Sequence, residues 1–338
     1  MLLVLVAAGQ WFIKPADPAR VPAPGAHSAA MALFMSSVRP LVERWLWFRF
    51  EGHVNGGALP AAIQDLQSLA ALGSSDVRPL LHLARFLAWD LAPRAGSAPE
   101  RIQRVFEAEA ILEDAARRFP ADPEVHLRHG QILTLPWSMI PALHRIYCNR
   151  RGLTPASGAA RAFRKGLELA PGSPVLAVLA GDATRIAGIE RVLMGDAAGW
   201  QECVIARELV LRAGSAVGPL QSLLAEAWAR GGEAMQRSSV AEAAVVFGAL
   251  PLGELPPEEQ GFVRALVPAL AAGMVPADAA AARLCLPAAM ALHTILQATP
   301  ALTTGGPAPA ALRQLALRIS QLAPDLKGSL PRELIEER

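Results

Sequence analysis

The sequence predicts an all-α protein, an elongated array of antiparallel helical hairpins that becomes less regular toward its C-terminus. Three observations lead there. Apolar residues recur at helical spacing, while Val and Ile form no period-2 runs bounded by turns. Proline and glycine separate the apolar stretches at intervals suited to short interhelical turns. One pattern of small, large and turn residues also occurs twice, 51 residues apart, ending at Pro120 and again at Pro171.

The N-terminus stands apart from that array. Residues 1–13 (MLLVLVAAGQWFI) are almost wholly apolar, and a Pro/Ala-rich stretch from Lys14 to His27 follows. A spanning helix needs about 20 apolar residues. A cleaved signal normally carries an early basic residue, and none precedes Lys14. Membrane anchor, signal and buried terminal helix are the three readings. As an anchor the run would associate the protein with a membrane, and because the Ala, Arg and Pro bias resembles that of a GC-rich bacterial genome, the expected membrane is a bacterial inner membrane. Lys14 and Arg20 on its flank favour the cytoplasmic side without deciding it.

From residue 29 onward the elements follow in order. Residues 29–54 form a long helix bearing Trp45, Trp47, Phe48 and Phe50, and Asn55-Gly56-Gly57 stops it. A second helix over 58–72, with Ile63, Leu66, Leu69 and Leu72 at helical spacing, completes a first hairpin. The stretch 79–91 (PLLHLARFLAWDL) is apolar nearly all round and reads as a buried helix. After a loop over 93–99, Glu100 to Phe119 supplies its antiparallel partner, and Pro120 ends it. Helices over 123–133 and 159–169 make the next pair. Past Gly188 the spacing loosens, with helices expected at 199–212, 217–231, 236–249, 257–272, 277–297 and 308–322. Gly214, Gly231-Gly232, Pro251, Pro256-Pro257, Gly273 and Gly305-Gly306-Pro307 are read as their separators. Residues 326–338 read as a polar tail.

The repeated pattern is specific in its spacing. Ala108-x3-Leu112-x2-Ala115-x4-Pro120 leads into His126-x2-His129-Gly130-x2-Leu133, and Ala159-x3-Phe163-x2-Gly166-x4-Pro171 leads into Ala177-x2-Ala180-Gly181-x2-Thr184. Each proline precedes its glycine by ten residues. This skeleton resembles the tetratricopeptide repeat, whose pattern runs W-x2-L-G-x2-Y, then A-x3-F, then P. The departures are His126 and Ala177 at the tryptophan position, and Leu133 and Thr184 at the tyrosine position. A regular 34-residue unit would put the second proline at 154, so 17 extra residues (171 − 154) sit around 135–157. Insertions on one face of a repeat array often carry binding. The resemblance implies a right-handed α-solenoid, with tetratricopeptide-like hairpins over 29–195 and a degenerate continuation over 196–325. It also implies the general work of such scaffolds, which is holding a peptide or helix of another protein in a concave face.

Composition narrows the function classes. Apolar residues make up 52% of the 338, ample for a large core, and charged residues only 18%, below the roughly 25% usual in soluble domains. Mean hydropathy is +0.29 and formal net charge +2. Low charge admits an alternative, a structural subunit of a membrane protein complex. Cys148, Cys203 and Cys285 are far apart and form no C-x2-C pair, so neither a zinc ribbon nor a disulfide framework is suggested. No G-x-S-x-G elbow, H-E-x-x-H, Walker loop or strand-linked G-x-G-x-x-G occurs, and no enzymatic activity or cofactor is expected. Glu107, Glu109, Glu113 and Asp114 share a helix with Arg101, Arg104, Arg117 and Arg118 and read as ion pairs on an exposed face.

Two constellations are candidates for a site. His126 and His129 are three apart, and His144 and Cys148 four apart. Their side chains suit tetrahedral zinc, although H-x2-H-x14-H-x3-C matches no established spacing. Packing is the simpler reading of those residues. Charge offers the other signal: no Asp or Glu occurs from Val125 through Leu167, while that window holds seven Arg and Lys residues. A one-signed patch attracts anionic partners. Arg128, Arg145, Arg150, Arg151, Arg161 and Arg164, with Trp137 and Tyr147, are therefore the candidate partner contacts. Nucleic acid is not expected, because the cluster lacks aromatics spaced for base stacking.

Overall fold

The computed structural model describes residues 26–72, 76–134, 141–298 and 307–335, with side chains described from 38 onward except at 141–143. Every regular element among them is helical, as the sequence predicts, and no strand occurs among the described residues. The chain divides into two compact units, residues 1–75 and 76–338.

In the first unit, α1 (Ala26–Asn55) and α2 (Leu59–Ala71) form a hairpin. Gly57 takes a φ of +73° in the turn, a left-handed conformation that side-chain-bearing residues adopt at a cost. Leu46 and Phe50 are buried in α1, as are Ala62, Leu66 and Leu69 in α2. The buried carboxylate of Asp65 is paired with Arg49 at 2.7 Å and with His53 at 2.8 Å, which ties the two helices together.

The second unit begins with α3 (Arg78–Arg85), which continues in π-helical form over Phe86–Leu91. One residue is looped out there, and Ala92 N–H reaches back five residues to Leu87 C=O. Then come α4 (Ala98–Arg118), α5 (Pro123–Thr134), α6 (Pro141–Arg151), α7 (Pro155–Leu169), α8 (Pro174–Leu193), α9 (Gly199–Leu211) and α10 (Pro219–Gln236). Up to α10 each helix packs mainly on its sequence neighbour, except that α5 packs on α7 and passes over α6. The remaining helices are α11 (Val240–Gly248), α12 (Pro257–Gly273), α13 (Ala279–Gln297), α14 (Pro307–Leu322) and α15 (Arg332–Ile335). There the order changes: α11 packs on α13 and α12 on α14, so helices interleave.

Local chemistry accounts for the starts. Hydroxyls of Ser97, Thr154 and Ser173 accept the backbone N–H three residues on, and Asp278 does the same for α13. A proline occupies the first turn of α4, α7, α8, α10 and α12, where its missing N–H costs nothing.

Two expectations need correction. Gly231-Gly232 does not separate helices but lies inside α10. A Cβ at Gly231 would overlap the Phe247 ring, and one at Gly232 would lie 2.8 Å from the Trp200 carbonyl oxygen, so the pair lets α9 and α11 close on α10. The C-terminal residues are not wholly a polar tail either. Leu330 and Leu334 are buried, and α15 packs on α14.

Trp200, Trp228 and Phe247 meet in the core of the second unit, with ring centroids 4.8 to 6.5 Å apart. Such burial of large aromatics dominates core energetics. Among the described residues, α13 has the length and apolarity to cross a membrane. Its Ala282, Ala288, Ala289, Leu292, Ile295 and Leu296 are nevertheless buried against other helices of the unit.

Candidate functional site

The acid-free stretch 125–167 does not fold into an isolated basic surface, because carboxylates from the start of α5 and from other helices reach it. Arg128 pairs with Glu124 at 2.7 Å. Helix α6 is fastened to α4: the buried Tyr147 hydroxyl donates to Glu109 at 3.1 Å, and Arg151 lies 3.0 Å from Glu109 and 2.8 Å from Glu113. Arg150 stands over the Phe106 ring, 4.4 Å from its centroid, and Tyr147 stacks on the same ring. The structure thus places Tyr147, Arg150 and Arg151 in a seam that attaches α6. Arg145 is exposed on the same helix, and Trp137 lies outside the described residues.

Glu109 is only 3% exposed, unlike the surface carboxylate the sequence suggested. Arg104–Glu107 and Arg117–Asp114 do form ion pairs along α4, whereas Glu109 faces inward at helical spacing from Val105 and Leu112. Burial pushes its carboxyl upward, but His129 and Arg151 outweigh burial and hold it below the usual range. Tyr147 is pushed well above its ordinary value by burial and by Glu109, so it stays a neutral donor.

The four zinc candidates separate. His129 Nε2 stands 3.9 Å from Glu109, and His144 lies 3.3 Å from Glu190 and 3.7 Å from Cys148. His126 is half-buried with its Cβ against the Gly166 position, which is a packing role. Among the described residues no group of three or more metal-donor side chains converges.

What the structure does bring together is Arg161 and Arg164. They line a cleft of about 720 Å³ between α7 and α8. On α7, Ser157, Arg161, Arg164, Lys165 and Glu168 form one stripe, while Ala187 and Arg191 of α8, with Met194 just past its end, form the facing one. Asp196 and Glu202 close the far wall. Local pairing decides which cations are available. Lys165 is bound to Glu168 at 2.9 Å, and Arg191 to both Asp196 and Glu202, which raise its guanidinium's already high value. Arg161 and Arg164 make no ion pair with a described residue, and Arg164 donates only to the Ala160 carbonyl at 3.4 Å. Two uncompensated guanidiniums one helical turn apart beside the exposed Met194 give the cleft a positive centre with an apolar rim. Lys165 was visible in sequence as part of the charge run. Arg191 and its acids lie some 30 residues further on, and no local pattern announced them.

A second buried polar group spans α8, α10 and α12. Arg185 pairs with Glu259, and the Trp228 indole donates to the other oxygen of Glu259 at 3.2 Å. Asp182 lies 3.6 Å from Arg185 and accepts from Gln221 at 3.4 Å. Burial raises the Asp182 carboxyl, and Arg185 offsets only part of that rise. No protein-family model and no curated protein matches the chain.

Proposed function

We propose that this chain is a non-catalytic protein–protein interaction scaffold that holds an acidic segment of a partner in the α7–α8 cleft. The observation that carries the reading is the pair Arg161 and Arg164, both lining the cleft and both without a carboxylate partner among the described residues, beside cations that are already neutralised. A carboxylate pair on a partner helix or peptide would satisfy both guanidiniums bidentately, and Met194 offers apolar contact at the rim.

We read the scaffold itself as a right-handed α-solenoid of tetratricopeptide-like hairpins with an inserted helix, α6. Neighbour-on-neighbour packing from α3 to α10 supports this, as does the recurrence of one glycine–phenylalanine contact at Gly130 and Gly231. Arg128, Arg150, Arg151 and Tyr147 then stiffen the array, and Arg145, exposed on α6, lies outside the cleft.

The test is affinity capture from native extracts with the full chain, its Arg161→Glu/Arg164→Glu variant and an Arg145→Glu control. The expected result is a partner retained by wild type and by the control, lost with the double reversal, and weakened by salt. Equal capture by all three proteins would remove the cleft as the recognition site.

A further inference from the structure

Helix α6 is held to the second unit by little buried surface. Of its side chains from His144 to Arg151 only Tyr147 is buried, whereas α5, one residue longer, buries Val125, Ile132 and Leu133. The array also closes without it, because Gly130 of α5 meets the Phe163 ring of α7 directly. An 11-residue helix is marginal in water on its own, and a segment with few buried apolar side chains opens more easily than the core around it. Helix α6 therefore opens ahead of α5 and α7. Gly152, at a φ of +68° and with open space where a Cβ would stand, gives the turn into α7 a hinge.

Opening uncovers a seat of definite chemistry on α4. Phe106 is 7% exposed beneath the stacked Tyr147 ring and the Arg150 guanidinium, and Glu109 is 3% exposed. Without α6, Glu109 loses the Tyr147 hydroxyl and Arg151, which leaves His129 of α5 beside it, 3.9 Å away. Glu113, one turn further along α4, loses Arg151 as well. The Tyr147 hydroxyl stands 2.9 Å from the point where a Cβ on Gly158 would project, so a bare glycine shapes the notch that admits it. A carboxylate withdrawn from water is costly unless a cation or hydrogen-bond donor meets it. The seat therefore selects an aromatic hydroxyl and an arginine four residues apart, the spacing of Tyr147 and Arg151 on one face of α6.

We propose that this seat is a second recognition site, for a basic helix of a partner protein bearing a tyrosine and, four residues on, an arginine. Helix α6 occupies the seat in cis until such a helix displaces it. The occupant's chemistry is argued from α6 itself, whose Tyr147, Arg150 and Arg151 already fill the seat. The seat is acidic and aromatic where the α7–α8 cleft is basic, so the proposal stands independently of the acidic partner placed in that cleft. Its tether to α7 holds α6 at an effective concentration on the order of millimolar. A partner therefore reaches the seat only in the open fraction, and its apparent affinity falls in proportion.

The test uses a fluorescein-labelled peptide of residues 141–153 of this chain as the partner probe, with Cys148→Ser to prevent oxidation. It is titrated by fluorescence anisotropy into the full chain as wild type, as Arg151→Ala and as Tyr147→Ala/Arg151→Ala. The single variant guards against misfolding of the double, and circular dichroism and gel filtration are run on each. Binding to the variants is expected to be at least about tenfold tighter than to wild type. That binding should be lost when Glu109→Gln is added, or when the peptide itself carries both substitutions. Hydrogen exchange in wild type is expected to be faster over 144–151 than over α5 and α7. Absence of peptide binding to both variants would overturn the proposal, and so would binding that ignores Glu109. Exchange of α6 as slow as that of α5 and α7 would overturn it too, since the seat would then open only with the whole unit. A wild-type dimer that these substitutions convert to monomer would overturn the partner reading and reassign the seat to exchange of α6 between copies.

Discussion

The ring of Phe163 occupies the space where a side chain at Gly130 would project, so α5 and α7 touch through bare backbone on one side and a phenyl face on the other. Gly231 and Phe247 stand in the same relation between α10 and α11. The first pair is separated by 33 residues and the second by 16, because α6 lies in the chain between α5 and α7 whereas no helix lies between α10 and α11. The extra chain between α5 and α7, which includes α6, therefore leaves their contact intact.

Replacing Gly130 by Val forces the Phe163 ring to move and is expected to destabilise by about 1–3 kcal/mol, as overpacking does. Phe163→Ala alone should cost about 3–5 kcal/mol by leaving a cavity. If the contact is as close as described, Gly130→Val combined with Phe163→Ala costs less than the sum of the two. Urea midpoints of the four proteins measure this, and strict additivity would refute it.

Tyr147→Phe removes the hydroxyl that serves the buried Glu109 and should cost about 1–3 kcal/mol, much of it felt as loosening of α6. Hydrogen exchange over 141–151 is expected to accelerate more than exchange in α8. Because the Glu109 carboxyl is held below its ordinary value in the fold, its contribution is present above the unfolded value and lost as pH falls through the lower folded one. Acid titration of α6 protection should show that loss, and Glu109→Gln should flatten it.

The buried Arg185–Glu259 pair predicts a large asymmetry. Glu259→Ala leaves a guanidinium that is 5% exposed with only the more distant Asp182, 3.6 Å away, and removes the acceptor of the Trp228 indole, at a cost of about 3–5 kcal/mol in thermal or urea unfolding. Asp182 behaves oppositely. Its folded carboxyl is raised, so the stability tied to it is complete below the unfolded value and declines as pH rises through the folded one. Asp182→Asn should therefore cost less at pH 7 than at pH 4, which paired unfolding curves will decide.

Cysteine reactivity separates the three thiols. Cys203 is fully buried and its thiol is pushed up to about 12, mainly by burial, so it should be inert to alkylation in the native protein. Cys148 and Cys285 are part-exposed with thiols raised by burial, and should react slowly. Mass spectrometry after iodoacetamide treatment is expected to find Cys203 modified only in denaturant.

The helices were legible because their causes are local. Pro120 and Pro171 stop helices by removing a donor, Thr154 and Ser173 start them by supplying an acceptor, and Leu66 and Leu69 mark a buried side by spacing alone. Gly231-Gly232 misled because glycine has two uses, breaking a helix or admitting a neighbour, and only Phe247 and the Trp200 carbonyl select the second. Charge behaved the same way. A run without Asp or Glu is a fact about the chain, yet the potential around it depends on which helices pack alongside. Glu109 and Glu113 neutralise Arg151 from α4, while no described acid reaches Arg161 or Arg164. The sequence by itself determined that this protein is helical, where most helices begin and end, and that its cations cluster. Which cations line an open cleft, and which carboxylates are buried beside arginine, was settled only by tertiary structure, because Coulomb interactions act through space between residues that the sequence holds far apart.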